Sequence, residues 1–531
     1  MLPKGQILRA RYISSAVPRI RQVPKRRTYA SQVEPLPAKI TTLRNKLRVA
    51  TEATPGHFSA VGVYIDAGSR YEAPQYSGVS HILDRMAFKS TKARSANVMS
   101  TEIDSLGGQM FASSSRETMM YQSSHFHDGT PLAVSILADT ILNPLFLAEE
   151  LETQREAARY EVRELNSKPE SMLPEALHFM AYQGNTLGNP ALCPDERIDL
   201  INGDMLRGWT REWFRPERMV VAGAGMPHEE LVELVDKHFG HLKSPADFTK
   251  TDKGVLLPNN SQSRLAHPQL LQTSGQKPSL YKSLATAATS LLTNPESQLD
   301  STSFEALANA KARYTGGSLH IPAEGQEFEH VYVAFEGVSI LEEDIYPMAV
   351  IQMLLGGGGS FSSGGPGKGM YTRLYTHVLN HYHTIDHCAS FHHIYADTSL
   401  LGLFASFVPN ESMRKVLSIL AYQLSLLLYE TVPPVELARA KKQLQSSLAM
   451  SMESRSVEVE DLGRQILIHG RKVSSLEMAQ KVEAVTAQDL QRVAHRVFGR
   501  GSKPPTVVGM GVQDINEYPD VFKAYGVGSQ T

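Results

Sequence analysis

Two segments of this chain align with each other without a gap: residues 201–214, "INGDMLRGWTREWF", and 485–498, "VTAQDLQRVAHRVF". Each leads into a short apolar strand, "MVVAGAGM" and "TVVGMGV". An internal repeat constrains the fold strongly, because a duplicated unit needs the same kind of packing partner twice. The periodicities ahead of each copy follow a common order. In the first half "FSAVGVYIDA" (58–67) alternates as a strand, and residues 79–89 carry helical spacing. "GGQMFASSSRETMMYQSSHF" (107–126) reads as a hairpin, and "AEELETQREAARYEVRELN" (148–166) as a charged amphipathic helix. In the second half "EHVYVAFEGV" (329–338) is a strand, "YPMAVIQMLLG" (346–356) a helix and "VELARAKKQLQSSLAM" (435–450) a charged helix. At 531 residues the chain is too long for one ordinary core. The expected class is therefore α+β, built as two homologous domains.

The boundaries follow from composition. Residues 251–305 are rich in Ser, Thr, Asn, Gln and Pro and hold no period, so they read as a polar linker or insertion between domains at 38–250 and 306–520, with a tail over 521–531. Residues 1–37 form an N-terminal arm with eight Lys/Arg through Arg27 and no acid before Glu34, the pattern of a mitochondrial transit peptide rather than a nucleic-acid-binding arm. Pro18 and Pro24 limit any helix there. Loss of residues 1–29 would remove those eight positive charges from a chain of formal net charge -2, leaving an acidic protein that attracts basic partners. The most apolar long run, 416–429, is interrupted by Ser, Gln and Tyr and is shorter than the roughly 18 residues a membrane span needs. Two cysteines, Cys193 and Cys388, exclude a disulfide framework and a zinc site of four cysteines.

The sharpest chemical question is "GVSHILDRMAFKST" (78–91). Val79, Ile82, Leu83 and Met86 form an apolar helical stripe, and His81, Asp84 and Arg85 share another face. Inverted zinc peptidases place His-x-x-Glu-His on such a helix, where two imidazoles bind the metal and the Glu activates water. Here Arg85 takes the second metal-binding position, and a guanidinium has no lone pair to give. Asp84, one methylene short, takes the position of the base.

On these residues the chain resembles the pitrilysin clan of metallopeptidases, family M16, and within it the alpha subunits of mitochondrial processing peptidases. The resemblance implies two α/β-sandwich domains, each an antiparallel-mixed sheet with helices packed on one face. The active relatives' third zinc ligand is a Glu. The family's spacing counted from Arg85 lands on Glu161, whereas the local Val-Arg-Glu pattern points to Glu164, and both stay open. Either way, His81 and one carboxylate make half a zinc site, with Arg85 expected to pair with Glu161, Glu164 or Asp84. No metal or other cofactor is expected in this chain. Zinc is implied in a partner beta subunit.

A second motif carries the same resemblance. Gly356, Gly357, Gly358 and Gly359 open a run continued by Ser360, Phe361, Ser362 and Ser363 and closed by Gly364, Gly365, Pro366, Gly367, Lys368 and Gly369. A P-loop needs Gly-x-x-x-x-Gly-Lys-Ser/Thr after a strand. Here Ser362 stands at the first glycine, Gly369 follows the Lys, and a helix precedes. The remaining reading is a mobile flap with exposed backbone, ahead of an amphipathic helix in "MYTRLYTHVLNHY" (370–382). The resemblance makes it the substrate-binding loop for presequence peptides, with Phe361 as its one large apolar group and Lys368 as its one charge.

Weaker candidates are "HYHTIDH" (381–387) with His392 and His393, "HFHD" (125–128), the turn "GAGM" (223–226), and the acidic patches 327–329, 341–344 and 458–461, some of which are candidates to read basic substrates. Together the resemblance implies a non-catalytic substrate-recognition subunit of the mitochondrial matrix. It would bind basic presequences of imported precursors and present them to the zinc-containing beta subunit of a heterodimeric metalloendopeptidase. No nucleic-acid partner is expected. The alternative is a structural core subunit of respiratory complex III, which shares the fold but generally lacks this glycine run. Association with that complex stays open.

Overall fold

A computed structural model describes residues 37–243, 304–360 and 369–528. The transit-peptide reading and the polar 251–305 segment therefore fall almost wholly outside the described residues, as do Phe361–Lys368 and the last three residues.

The first sheet has six strands in the order β1-β2-β6-β3-β5-β4, from β1 (Lys39–Thr42), β2 (Arg48–Glu52), β3 (Phe58–Ile65), β4 (Gln109–Ser114), β5 (Met119–Phe126) and β6 (Met219–Ala224). The second has the order β7-β12-β8-β11-β10-β9, from β7 (Gly317–Pro322), β8 (Glu329–Glu336), β9 (Gly357–Gly359), β10 (Ile385–Ile394), β11 (Ser399–Phe407) and β12 (Thr506–Gly511). Each sheet holds one parallel pair, β2 with β6 and β7 with β12, within otherwise antiparallel pairing. Five strands of each sheet correspond in order. The sixth differs: β1 is added at one end of the first sheet, and the glycine strand β9 at the other end of the second.

The aligned repeat segments open as helices α5 (Gly203–Trp213) and, near the C-terminus, Ala487–Phe498. Their N-caps fall at matching positions. The Asn202 side chain accepts from the amides of Asp204 and Met205, and Thr486 forms a capping box with Asp489. Each helix then feeds a buried strand, β6 or β12, that lies between its parallel partner and the first long strand of its half, β3 or β8.

One face of each sheet is packed by helices of its own half. On the first lie α1 (Val79–Arg85), α2 (Thr130–Leu142), α3 (Ala148–Asn166), α5 and α6 (His228–Phe239), meeting Val49, Val61, Val63 and Val221. On the second lie α7 (Ile345–Leu355), α8 (Met413–Tyr429) and Ala487–Phe498, meeting Val331, Val333 and Phe335. The other faces are covered by exchange. Helix α4 (Pro169–Tyr182) of the first half lays Met172, Leu173, Ala176 and Leu177 on Tyr332, Leu400, Phe404 and Val508. Helix α10 (Arg455–His469), which follows α9 (Pro434–Ser451), lays Val459, Leu462 and Ile466 on Ala60, Tyr64, Val220 and Ala222. This double coverage explains why β11 is buried along its whole length and β3 everywhere but Phe58.

The segment after the glycine run is helical, as expected, but its turn is π and not α. Residues Leu374–Leu379 form a π-helical turn, with the Asn380 amide donating to the Tyr375 carbonyl at 3.0 Å. Its buried residues are Leu374, Tyr375, Val378 and Leu379, a spacing that suits the wider turn of an i to i+5 helix.

Candidate functional site

Helix α1 is fixed at its start by a residue outside the sequence motif. Glu72 is buried and accepts from the amides of Gly78 and Ser80, each at 2.7 Å, and from the Ser80 hydroxyl at 2.6 Å. Gly78 itself has φ +88, and a Cβ there would lie 2.4 Å from the Cys193 sulfur, so only glycine fits. Burial raises the Glu72 pKa to about 7 against the pull of those hydrogen bonds. No periodicity marks Glu72, because it reaches the helix through space and not along it.

His81 is 2% exposed and hydrogen-bonded at both ring nitrogens. The Cys193 amide donates to its Nδ1 at 3.1 Å, so that nitrogen carries no proton. Nε2 therefore holds the proton and donates it to Glu161 Oε2 at 3.0 Å. The same carboxylate oxygen forms the ion pair with Arg85 Nη2. The hydrogen bond from His81, helped by the charge on Arg85, holds the Glu161 carboxyl below the usual carboxylate range despite its partial burial. Asp84 turns away. Its Oδ2 accepts from the Ser114 amide at 3.0 Å and the Ser114 hydroxyl at 2.5 Å, and only a 3.9 Å approach links its other oxygen to Arg85 Nε. Burial raises its pKa, partly offset by those bonds.

The geometry thus selects Glu161 from the two sequence candidates. Glu164 is exposed and paired with Lys168 at 2.6 Å, apart from His81. It stands nearly one turn further along the same helix, where Lys168 is its partner. These residues do not fit zinc. One imidazole nitrogen is spent on an amide, the other is protonated, and a guanidinium neutralises the carboxylate that a cation would use. Among the described residues no group of three or more His, Cys, Asp or Glu side chains is arranged to hold a metal ion.

The glycine run begins as structure and not as a flap. Gly357–Gly359 pair antiparallel with His387, Cys388 and Ala389 as the outermost strand of the second sheet. The Ser390 amide donates to the Gly356 carbonyl at 2.8 Å, and the Ser360 amide to the Asp386 carbonyl at 2.6 Å. Gly356 has φ +57, and its Cβ would lie 2.3 Å from Thr372. Gly357 has φ +101, and its Cβ would lie 2.1 Å from the Cys388 carbonyl. Packing therefore demands the first two glycines. At Gly358 nothing lies within 4 Å of a Cβ. Phe361 to Lys368 lie outside the described residues, and Gly369 closes the run at Thr372.

Several of the weaker candidates have structural partners, whereas both ring nitrogens of His392 and Nδ1 of His387 are buried without a hydrogen-bond partner among the described residues. His125 bonds the Ser123 and Thr130 hydroxyls, and burial lowers its pKa to about 4. Gly225 ends β6 with φ +77. Glu329 accepts from the Val512 amide at 3.1 Å, and Glu458 pairs with Arg455 at 2.7 Å. Glu342 and Asp344 pair with Arg496 and Arg492.

Comparison with known proteins identifies the family. Residues 48–195 match the family model of Insulinase (Peptidase family M16), and residues 201–444 match that of the Peptidase M16 inactive domain. The mitochondrial-processing peptidase subunit alpha of Neurospora crassa is 44% identical over 495 residues, covering 88% of this chain and 85% of that one. The chain belongs to the family of mitochondrial-processing peptidase alpha subunits. The human subunit alpha is 36% identical over 92% of this chain and 84% of its own length. In fold, this member of the alpha-subunit family is similar to the crystal structure of a protease from Helicobacter pylori, with a TM-score of 0.70 at 17% identity, covering 90% of this chain and 99% of that one.

Proposed function

We propose that this chain is the non-catalytic, substrate-recognising half of a mitochondrial processing peptidase. It binds basic presequences through Gly356–Gly369 and presents them to the zinc of a beta-type partner in the matrix. In this reading its M16-like units are 38–250 and 306–520, joined by 251–305, behind a cleaved arm. The observation that carries the proposal is the Arg85–Glu161–His81 cluster. A permanent cation stands at a metal-ligand position, and the one histidine is engaged on both sides. Such a chain needs a second polypeptide to supply the metal and the activated water. The names of its relatives, each a subunit of a mitochondrial-processing peptidase, support the same division of labour.

Co-expression with a beta-type subunit is expected to give a one-to-one complex that cleaves a presequence peptide, while the purified chain alone shows no turnover. Deleting Phe361–Lys368 from the complex is expected to raise KM for the peptide and leave assembly intact. Turnover by the chain alone, or an unchanged KM after the deletion, overturns the reading.

A further inference from the structure

The two ends of the glycine run meet at one side chain. Thr372 is 5% exposed. Its hydroxyl oxygen accepts from the Gly357 amide at 3.1 Å and donates its proton to the Gly369 carbonyl at 2.7 Å. The Thr372 amide donates to the same carbonyl at 3.0 Å. A hydroxyl is the smallest group that can accept and donate at once, so one atom satisfies a backbone donor from the start of the run and a backbone acceptor from its end. The neighbouring amides and carbonyls of β9 are turned the other way. Gly356 and Ser360 bond to β10 through Ser390 and Asp386, and Gly357 gives its amide to Thr372. Thr372 therefore occupies the outer edge of the strand.

The anchor is itself fixed. Arg373, the next residue, is 5% exposed and pairs through Nε with Glu436 of α9 at 2.9 Å. Ser360 is held a second time by its hydroxyl on the Asp386 carboxylate at 3.0 Å. The Thr372 side chain also fills the space that a Cβ on Gly356 would need, which ties the glycine at that position to the threonine opposite it.

We propose that Thr372 is the positioning residue of the presequence-binding segment. Its hydroxyl fixes the distance between Gly357 and Gly369, and with it the register in which the run meets a peptide. This rests on the proposed role of the glycine run in binding presequences. The residue does no chemistry, so its loss weakens binding and leaves the partner's bond-breaking step alone.

The test is steady-state cleavage of a basic presequence peptide by the complex with a beta-type partner. It compares the parent with Thr372→Val, Thr372→Ser and the Phe361–Lys368 deletion. Thr372→Val keeps the shape and removes both hydroxyl bonds; KM is expected to rise about tenfold with kcat within about twofold. Thr372→Ser restores the hydroxyl and is expected to return KM to the parent value. A parental KM in Thr372→Val, with the deletion raising KM, overturns the role of Thr372 and leaves the binding role of the run standing. A KM raised equally in Thr372→Ser overturns it too, because the methyl and not the hydroxyl would then matter. An unchanged KM in the deletion overturns the binding role itself. If Thr372→Val fails to assemble, Thr372→Ala takes its place: a KM raised in Ala and parental in Ser supports the hydroxyl, and a parental KM in both overturns its role.

Discussion

At the scale of single residues, the misfit of these side chains to zinc is a matter of proton placement as much as of one arginine. For His81 to give a metal the Nε2 lone pair, the ring proton would have to sit on Nδ1, facing the Cys193 amide, donor against donor. Restoring the missing histidine is therefore insufficient. Arg85→His combined with Asp84→Glu is expected to bind well under one zinc per chain after metal loading and dialysis, and to show no peptidase activity. Metal analysis at stoichiometric zinc would refute it. Glu161 gives a second, pH-linked signature. Its folded pKa lies below the ordinary value of 4.5, so its contribution to stability is complete above that value and fades as pH falls through the folded pKa. Much of this site is legible in the sequence. The spacing of His81, Asp84 and Arg85 places them on one helix face, and the chemistry of guanidinium excludes it as a ligand. The choice between Glu161 and Glu164, the Ser114 hold on Asp84 and the Glu72 cap are not legible. Each depends on where a distant segment arrives, and residue spacing carries no such distance.

Elements show the same division between local and distant information. The hairpin over 109–126, the helices at 148–166 and 434–451 and the paired repeat helices follow from periodicity, because each turns one apolar stripe into the core of its own half. Helix α10 is different. Its buried face carries a glycine, Gly463, where periodicity asks for an apolar side chain. The reason is the Tyr64 ring of the first sheet. It is fully buried, and a Cβ on Gly463 would come within 2.1 Å of it. The Tyr64 hydroxyl, held by Gln122 Oε1 at 3.0 Å, prevents the ring from swinging aside. In an exposed helix Gly→Ala gains up to ~1 kcal/mol of helix propensity. Here Gly463→Ala is expected to cost about 1–3 kcal/mol through overpacking. Thermal or urea denaturation decides the sign, and a stabilised variant would show that the two surfaces can separate without loss.

On the scale of the whole molecule, the exchange of α4 and α10 makes each half the cover of the other's sheet, and polar groups buried at that contact set its pH range. His178 of α4 donates from Nδ1 to the Pro174 carbonyl at 2.7 Å and accepts at Nε2 from the Tyr395 hydroxyl at 2.6 Å, so it sits there neutral. Its ring lies 5.0 Å from that of His393 on β10. Burial, with Arg116 close by, lowers the pKa of both, to about 4 for His393 and well below the ordinary value for His178, with only a small counter-effect from Glu175 on His393. His392 is likewise lowered to about 4 by burial and by His393. A histidine whose folded pKa lies below its unfolded value of 6.5 leaves the unfolded chain holding more protons between the two. Stability therefore falls as pH drops from 6.5 toward 4 and is independent of these groups above 6.5. Denaturant unfolding across that window is expected to show the loss, and His393→Phe, which keeps a ring beside Phe391 but cannot take a proton, is expected to reduce it. Ion pairs at the same contact, Arg70 with Glu117 and with Asp397 at 2.8 Å, weaken only when those carboxylates protonate. Asp397 does so below its ordinary value, whereas burial raises Glu117 above its own. An acid slope unchanged by His393→Phe would remove His393 from the account and assign the loss to His178, His392 and carboxylates such as Glu117.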